Sequence, residues 1–269
     1  MNRRILIAAN WKMHLNASQA SMLLHRLQER IKIHRDVEVV LAPSHLLLQP
    51  MSTQIDRRKF RLAAQNAYHV DEGAYTGEVS FTMLKDLVHY TIIGHSERRL
   101  HFHEDLEVVR DKVAAAARNH ITPIVCVGET NNERLEGETR QVLHDQIVSA
   151  LANLTKEEVA DTVIAYEPIW AISTFGGQTA EPSDIKQAID YIRRQIADLY
   201  SKGVADQVRV LYGGSVDDNT AGSYLAIDGC DGVLVGSASL NYDKFAGIVS
   251  VAYQQLHNNR RNTSDSDQG

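Results

Sequence analysis

The sequence predicts an α/β fold in which eight parallel strands close into a single-domain (β/α)8 barrel. Short β-branched runs alternate with longer helical patterns along the 269 residues, and this alternation is typical of parallel strands joined by crossover helices. Eight such units in about 250 residues fit a closed barrel. An open, doubly wound sheet is the alternative, but no GxGxxG sequence of a dinucleotide site follows the first strand.

The predicted elements follow one another without an interrupting linker. The predicted strands are 5–9, 38–42, 61–65, 90–93, 122–127, 162–166, 208–212 and 232–235. The clearest predicted helices are 18–33, 105–119, 138–153, 183–201 and 242–256. We therefore predict one domain over residues 1–256, followed by a polar, frayed tail over residues 257–269.

Composition and charge exclude several classes of protein. Hydrophobic residues make up 43% of the chain and charged residues 23%, which is ordinary for a globular protein and excludes a disordered or fibrous one. The net charge of −6, without a basic stripe, argues against nucleic acid as a partner. No apolar stretch approaches the roughly 20 residues of a membrane helix, so no membrane partner is expected.

The cysteines and the N-terminal sequence predict a cytoplasmic protein. Cys126 and Cys230 are the two cysteines, and they provide neither a disulfide framework nor the spacing of a metal site. Cys126 lies inside an apolar strand, which favours a buried thiol over a nucleophile. The N-terminal apolar run ends at Asn10 without a cleavage pattern, so we interpret it as the first strand and not as a signal peptide.

The stretch 165–180 indicates a catalytic carboxylate beside a lid. Glu167 stands at the exit of the sixth predicted strand, and Pro168 restricts the backbone where the loop departs. Apolar residues 169–172, Trp170 among them, lead into the glycine-containing segment 173–177. This pattern favours a carboxylate base in a site closed against water. An exposed loop glutamate beside a buried tryptophan is the alternative.

Polar side chains also follow the first and fourth predicted strands. Lys12 would supply a fixed positive charge for an anionic substrate, and a solvated surface lysine is the alternative. His95 begins a helical turn, where the helix dipole and a backbone N–H favour the neutral ring, which can donate to a developing oxyanion. The alternative is a histidine satisfied in a polar turn. Glu97 is expected to form a structural ion pair or to orient Lys12.

Small residues form the turns after the last two predicted strands. Gly213, Gly214 and Ser215 follow the seventh strand, and Gly236 and Ser237 follow the eighth. Each turn is expected to open a helix and to present backbone N–H groups to a phosphate, where barrels commonly bind one. Turns that serve only the chain geometry are the alternative.

The connection from Asn66 to Val79 is long for a barrel, whose strand-to-helix loops usually have about 2 to 6 residues. Long structured loops are usually functional or interfacial. We predict that this segment is a projecting arm.

Six blocks of sequence, in order, resemble the triosephosphate isomerase family over nearly the whole chain. They are NWKM at 10–13, GAYTGEVS at 73–80, IIGHSERR at 92–99, VCVGET at 125–130, AYEPIWAI at 165–172 and LYGGSV at 211–216. The resemblance implies a TIM barrel that interconverts D-glyceraldehyde 3-phosphate and dihydroxyacetone phosphate through an enediolate. It also implies that no metal and no organic cofactor takes part.

The resemblance assigns roles to individual residues. By this match Glu167 is the proton-abstracting base, His95 is the electrophile and Lys12 is the substrate-binding cation. The substrate-binding positions implied are Asn10, Trp11, Lys12, Ser173, Ser215, Gly236 and Ser237. Family subunits reach into each other's active sites with an arm that matches the segment from Asn66 to Val79, so Thr76 within it implies a homodimer.

Two departures from the family pattern leave alternatives open. The lid from Ser173 to Gln178 is two residues longer than in the family and lacks its lysine, and Ser237 replaces a glycine. One alternative is therefore an isomerase of a four-carbon ketose phosphate on the same barrel. From a different class, a phosphate-binding barrel without turnover is another. An indole- or nucleotide-pathway phosphate barrel would lack the AYEP and GHSE sequences.

Overall fold

The structure, a computed structural model, describes residues 3–172 and 179–266, with side chains as far as Leu256. All eight predicted strands are present, and each end lies within one residue of its predicted position. The strands are β1 (Ile5–Asn10), β2 (Val37–Ala42), β3 (Phe60–Ala64), β4 (Tyr90–Ile93), β5 (Thr122–Val127), β6 (Val163–Tyr166), β7 (Arg209–Tyr212) and β8 (Gly232–Val235). They form a closed parallel barrel in sequence order, with β1 paired to β8. The predicted (β/α)8 barrel is thus confirmed.

Helices surround the barrel. In the described part of the chain they are α1 (Ala17–Arg30), α2 (His45–Gln54), α3 (Phe81–Leu84), α4 (Ser96–His101), α5 (Leu106–Arg118), α6 (Asn131–Leu135), α7 (Thr139–Leu151), α8 (Lys156–Asp161), α9 (Pro182–Leu199), α10 (Lys202–Ala205), α11 (Ala221–Leu225) and α12 (Tyr242–Ser266). The five long predicted helices are all among them. Within the described residues, no helix combines the length and the apolar character needed to cross a bilayer.

The last helix is longer than predicted. Its predicted end at residue 256 was wrong, because α12 continues to Ser266. Once a helix is nucleated by packing, adding further turns costs little, and so polar residues can extend it beyond the core. That the segment 257–269 frays in solution stays a prediction.

The strand residues alternate between two buried layers. The barrel interior is filled by Leu6, Ala8, Val40, Ala42, Ala63, Tyr90, Ile92, Ile124, Cys126, Val163, Ala165, Leu211 and Leu234. The residues between them, such as Ile7 and Ala9, pack outward against the helices. Burial raises the pKa of the Cys126 thiol well above its ordinary value, which agrees with the prediction of an inert buried cysteine. The alternation also determines which residues reach the mouth of the barrel.

A close backbone approach closes the barrel between β8 and β1. Gly232 has φ of +151°, and a Cβ atom at this position would lie 1.9 Å from the carbonyl oxygen of Leu6. No side chain fits in that space. The last strand can therefore pair with the first only because residue 232 is glycine.

A buried carboxylate secures the end of the barrel opposite the active-site mouth. Asp231 accepts hydrogen bonds from Arg3 Nε (2.7 Å), from Arg193 Nη2 and from the backbone N–H of Val210 (2.8 Å). The side chains of Asp231 and Arg193 are only 8% and 16% exposed. Removing one member of such a group leaves the other charge buried without its counter-ion.

We expect Asp231→Ala to destabilise the protein by about 3 kcal/mol, because Arg193 loses its partner. The melting temperature should fall by about 6 to 12 °C for a protein of this size. Asp228→Ala is the matched control, since the Asp228 side chain is 95% exposed, and it should change stability by less than about 0.5 kcal/mol. Equal melting temperatures for the two variants would show that the Asp231 group does not stabilise the fold.

Candidate active site

The carboxyl ends of the strands surround a cavity of about 640 Å³. It is lined by seven of the residues that the sequence predicted to be catalytic or substrate-binding: Asn10, Lys12, His95, Glu167, Ser215, Gly236 and Ser237. These residues come from the ends of β1, β4, β6, β7 and β8. Barrel enzymes place their catalytic groups at this end.

Lys12 is held in a strained conformation at the end of β1. Its φ is +50°, which costs a residue with a side chain about 1 kcal/mol or more. Its N–H donates to Asn10 Oδ1 (3.0 Å), and its carbonyl oxygen accepts from Gln65 Nε2 (2.8 Å). Its Nζ donates to Glu97 Oε1 at 2.6 Å, and that Glu97 orients Lys12 stays a prediction. The ammonium group is thus fixed at the cavity.

His95 caps the N-terminus of α4. Its Nδ1 accepts a hydrogen bond from the backbone N–H of Glu97 at 3.2 Å. A ring nitrogen that accepts carries no proton, so the neutral ring bears its proton on Nε2. Gly94, with φ of +68°, turns the chain between β4 and His95. The Nε2–H group consequently faces the cavity, where it lies 3.2 Å from Glu167 Oε1.

Glu167 is a buried carboxylate at the end of β6. It is 2% exposed, and its Oε2 accepts from the backbone N–H of Ser96 at 3.2 Å. With His95 Nε2–H near Oε1, both carboxylate oxygens have a donor. Val163 and Ala165 on the same strand point into the barrel interior, and the period of two directs residue 167 towards the same axis.

Trp170 ties the start of the lid to the end of β5. Its Nε1 donates to Glu129 Oε1 at 2.8 Å, and the hydroxyl of Tyr166 lies 3.2 Å from both Glu129 oxygens. Burial raises the pKa of the Glu129 carboxyl group, and the hydrogen bonds from Trp170 and Tyr166 oppose that rise. The Arg134 guanidinium stacks over the indole, 3.8 Å from the ring centroid. The segment that follows Glu167 is therefore anchored at Trp170.

The two predicted phosphate turns differ in structure. After β8 a short 3-10 helix, Ser237–Leu240, follows Gly236 directly. After β7 the next helix, α11, begins only at Ala221, so the prediction that this turn opens a helix was wrong. Asp217 diverts the chain there, because its Oδ1 accepts from the backbone N–H of Thr220 at 2.9 Å. Ser215 instead donates through its N–H and its hydroxyl to the carbonyl of Ala171 (3.2 and 2.8 Å).

Sequence comparisons agree with this geometry. The family model described as triosephosphate isomerase matches residues 5–252. The chain is 43% identical over 249 residues to the triosephosphate isomerase of Clostridium botulinum strain Langeland, covering 92% of this chain and 99% of that protein. It is 44% identical, with the same coverage, to that of Caldanaerobacter subterraneus subsp. tengcongensis. For Dehalococcoides mccartyi strain BAV1 the identity is 42% over 93% of this chain and 97% of the relative.

The chain belongs to the triosephosphate isomerase family. The resemblance inferred from the six sequence blocks is thereby confirmed, and so is the class of enzyme: relatives with this name are isomerases.

Trp11, which the family resemblance assigned to substrate binding, does not line the cavity described above. The side chain of Trp11 is fully buried and packs with Ile7 and Ala9 on the helix-facing layer. Side chains along a strand point alternately to its two faces. Trp11 therefore points outward like Ile7 and Ala9, whereas Asn10 and Lys12 follow the inward direction of Leu6 and Ala8. Its predicted contact with substrate is therefore corrected to a place in the core. Ser173, with the rest of the lid up to Gln178, lies outside the described residues.

Other residues of this triosephosphate isomerase site were missed by sequence reasoning. Gln65 and Ser96 hold Lys12 and Glu167 through backbone groups, and backbone contacts leave little trace in a single sequence. Gly213 makes room for the Glu167 side chain, because a Cβ atom there would lie 2.7 Å from Glu167 Cγ. Within the described ranges, no group of three or more His, Cys, Asp or Glu side chains is arranged to hold a metal ion.

We expect Gly213→Ala to displace the Glu167 side chain and to lower kcat by about ten- to a hundredfold, since a shift of about 1 Å is enough for such a loss. The overpacking should cost about 1 to 3 kcal/mol of stability. Gly203→Ala serves as the control, because a Cβ atom there would meet only Ser201 Oγ at an ordinary 3.9 Å. Steady-state kinetics of the two variants test this, and an unchanged kcat for Gly213→Ala would contradict the assigned contact.

Proposed function

We propose that this protein interconverts D-glyceraldehyde 3-phosphate and dihydroxyacetone phosphate by moving one proton between neighbouring carbons. The observation that carries the proposal is the meeting of a carboxyl group, an imidazole and an amino group in one cavity. His95 Nε2 lies 3.2 Å from Glu167 Oε1, and Lys12 is fixed beside them through Glu97. Membership of the triosephosphate isomerase family supports this choice of substrates.

The reaction begins with the carboxylate of Glu167, which removes the proton from the carbon next to the carbonyl. The C–H electron pair becomes the carbon–carbon double bond of an enediolate, and the carbonyl π electrons move to oxygen. His95 Nε2–H and the Lys12 ammonium stabilise that oxygen as its charge develops. A substrate oxygen entering between His95 and Glu167 would take over the hydrogen bond that joins them.

Completion of the reaction requires two proton movements. The carboxylic acid form of Glu167 returns the proton to the adjacent carbon, and the second carbonyl forms. One hydroxyl proton must also pass from one substrate oxygen to the other, and His95 Nε2 is the group positioned for this relay. Each electron pair and proton is accounted for without an oxidant or reductant.

The phosphate of the substrate is held at the β7 and β8 side of the cavity. Backbone groups at Gly236 and Ser237 line that side, and Lys12 adds positive charge, with its Cε 3.6 Å from where a Gly236 Cβ would be. Closure of the lid from Ser173 excludes water and protects the enediolate from losing phosphate. Ser173 itself is proposed as a further backbone contact.

An assay on glyceraldehyde 3-phosphate, coupled to the reduction of dihydroxyacetone phosphate, tests the proposed function. We expect rapid turnover of the triose phosphate and a kcat/KM at least tenfold above that for a tetrulose phosphate. A tenfold preference for the tetrulose would favour the four-carbon isomerase, the alternative that the altered lid suggests. Absence of turnover together with binding of the substrate would favour a phosphate-binding barrel.

The proposal includes a homodimer formed through the arm from Asn66 to Val79. Residues 71–78, Thr76 among them, are all exposed, while the base of the arm is tied by the Tyr68 N–H to the carbonyl of Val79 (2.8 Å). Large apolar side chains are also exposed: Met13 (93%), Leu46 (83%), Met83 (67%) and Phe102 (63%). Such exposure supports an interface that covers them.

Light scattering tests the dimer. We expect a mass twice the 30.0 kDa of the chain, and we expect Thr76→Arg to shift it towards the monomer with loss of activity. A monomeric wild type with full activity would contradict this part of the proposal. We also propose that the protein is a cytoplasmic enzyme of glycolysis. The two free cysteines support the cytoplasmic location, because disulfides are rare in that compartment.

A further inference from the structure

Gln146 lies on α7, outside the barrel, and makes two hydrogen bonds to one residue of the active-site end. Its Oε1 accepts from the backbone N–H of Gly128 at 2.8 Å, and its Nε2 donates to the carbonyl oxygen of Gly128 at 3.2 Å. Gln146 is not among the residues that line the cavity. Any effect of Gln146 on catalysis must therefore pass through Gly128.

Gly128 packs directly against the backbone of the proposed base. A Cβ atom at position 128 would lie 2.0 Å from the carbonyl oxygen of Glu167 and 2.5 Å from its carbonyl carbon. The neighbours of Gly128 are also bonded to this segment. The N–H of Glu167 donates to the carbonyl of Val127 at 2.7 Å, and the N–H of Ile169 donates to the carbonyl of Glu129 at 3.0 Å.

The backbone of residues 127–129 is thus packed against the backbone of residues 167–169 and hydrogen-bonded to it. Beyond the end of β4 the chain turns at Gly94, and within residues 3–172 and 179–266 no backbone group is hydrogen-bonded to the N–H or C=O of Gly128. Gln146 satisfies both of them, as a neighbouring strand would. The amide side chain of glutamine offers one donor and one acceptor side by side, and asparagine is a methylene shorter.

The 127–129 segment also contacts the first residues of the proposed lid. Glu129, the residue after Gly128, accepts the hydrogen bond from Trp170 Nε1 at 2.8 Å. A shift of the 127–129 backbone would therefore move the base and the first lid residues together. A displacement of about 1 Å at a reacting group can lower a rate about a hundredfold.

We infer that Gln146 is a positioning residue of the isomerase, which sets the location of the Glu167 carboxylate by clamping the backbone of Gly128. The inference rests on the proposed function, because it assigns the role through the proposed base. It predicts an effect on the proton-transfer step and not on the binding of the phosphate, which is held at β7 and β8.

The test compares four variants with the wild type by kinetics and thermal unfolding. Gln146→Met removes both hydrogen bonds at similar length, and Gln146→Glu keeps only the acceptor while its carboxyl group is ionised. Gln141→Met is the control for the substitution, since Gln141 is exposed on the same helix and bonds only to Asp145. Leu143→Ala is the control for stability, because it removes a buried side chain of α7 and none of the hydrogen bonds to Gly128.

We expect Gln146→Met to lose kcat by at least about tenfold, with KM and the inhibition constant of glycerol 3-phosphate unchanged within about twofold. Leu143→Ala should lose more in melting temperature and retain kcat, and Gln141→Met should resemble the wild type. Gln146→Glu, whose carboxylate is ionised at neutral pH and offers no donor to the carbonyl of Gly128, should also lose kcat by at least about tenfold with KM unchanged within about twofold. If Gln146→Met does not fold, Gln146→Glu carries the test.

Three results would overturn the inference. The first is a kcat of Gln146→Met within twofold of wild type. The second is a loss of kcat in Leu143→Ala as large as that in Gln146→Met, which would show a general effect of stability. The third is a kcat of Gln146→Glu within twofold of wild type. A wild type without turnover would instead reject the proposed function, and the inference with it, so the two failures are distinguishable.

Discussion

Glu167→Asp should lower kcat by about 10²- to 10⁴-fold and leave KM within about threefold of the wild-type value. The shorter side chain withdraws the carboxylate by about the length of one carbon–carbon bond from a position at which both oxygens now have donors, Ser96 N–H and His95 Nε2–H. The proposed phosphate site lies elsewhere in the cavity, at the ends of β7 and β8, so the affinity for the phosphate is not expected to change. Steady-state kinetics in both reaction directions measure this separation of kcat from KM.

Glu157→Asp is the matched control for this prediction. Glu157 is exposed on α8, so the same chemical change there should leave both kinetic constants unaltered. The assignment of Glu167 as the base does not survive if Glu167→Asp retains kcat. A rise in KM without loss of kcat would assign Glu167 to binding only.

Lys12→Met should lower kcat/KM by at least about 10³-fold, with a higher KM and a lower kcat. Loss of charged hydrogen bonds to the substrate is worth about 1.5 to 3 kcal/mol, and loss of a donor to a developing oxyanion about 10²- to 10³-fold in kcat. The change also leaves Glu97 without the ammonium group that lies 2.6 Å from it. A lower activity is therefore expected even where substrate saturates the enzyme.

Two further variants at lysine positions distinguish the effect of the charge at position 12 from the effect of its placement in the cavity. Lys12→Arg keeps the charge and should recover part of the binding but little of kcat, because the planar guanidinium cannot replace a compact ammonium group in a fixed site. Lys202→Met, at an exposed position on α10, should be neutral. Activity of Lys12→Met within tenfold of wild type would exclude a direct role for Lys12.

The sequence was most informative where a regular pattern determines the structure. The alternation of β runs and helical patterns predicted all eight strands, because strand residues buried on both faces read as short apolar runs. The polar residues just past the strand ends, Glu167, His95 and Lys12, were predicted to converge because parallel strands of a barrel end at one mouth. The structure brings these three side chains to one cavity.

The remaining features depend on packing that one sequence does not encode in a pattern. Trp11 stands between Asn10 and Lys12 in the same block, and only the inward or outward parity of β1 sends its side chain to the core. The contacts of Gly128 and Gly213 with Glu167 arise where three strand ends approach one another. Gln146 gave no signal at all, since its partners are backbone groups.

The central claim is that a carboxylate on β6 carries a carbon-bound proton within a triose phosphate. Turnover of glyceraldehyde 3-phosphate in deuterium oxide, followed by NMR of the dihydroxyacetone phosphate formed, tests it most directly. We expect wild-type product with deuterium on the carbon that gains hydrogen, formed at a rate that Glu167→Asp lowers by about 10²-fold or more. An undiminished rate of product formation by Glu167→Asp would contradict it.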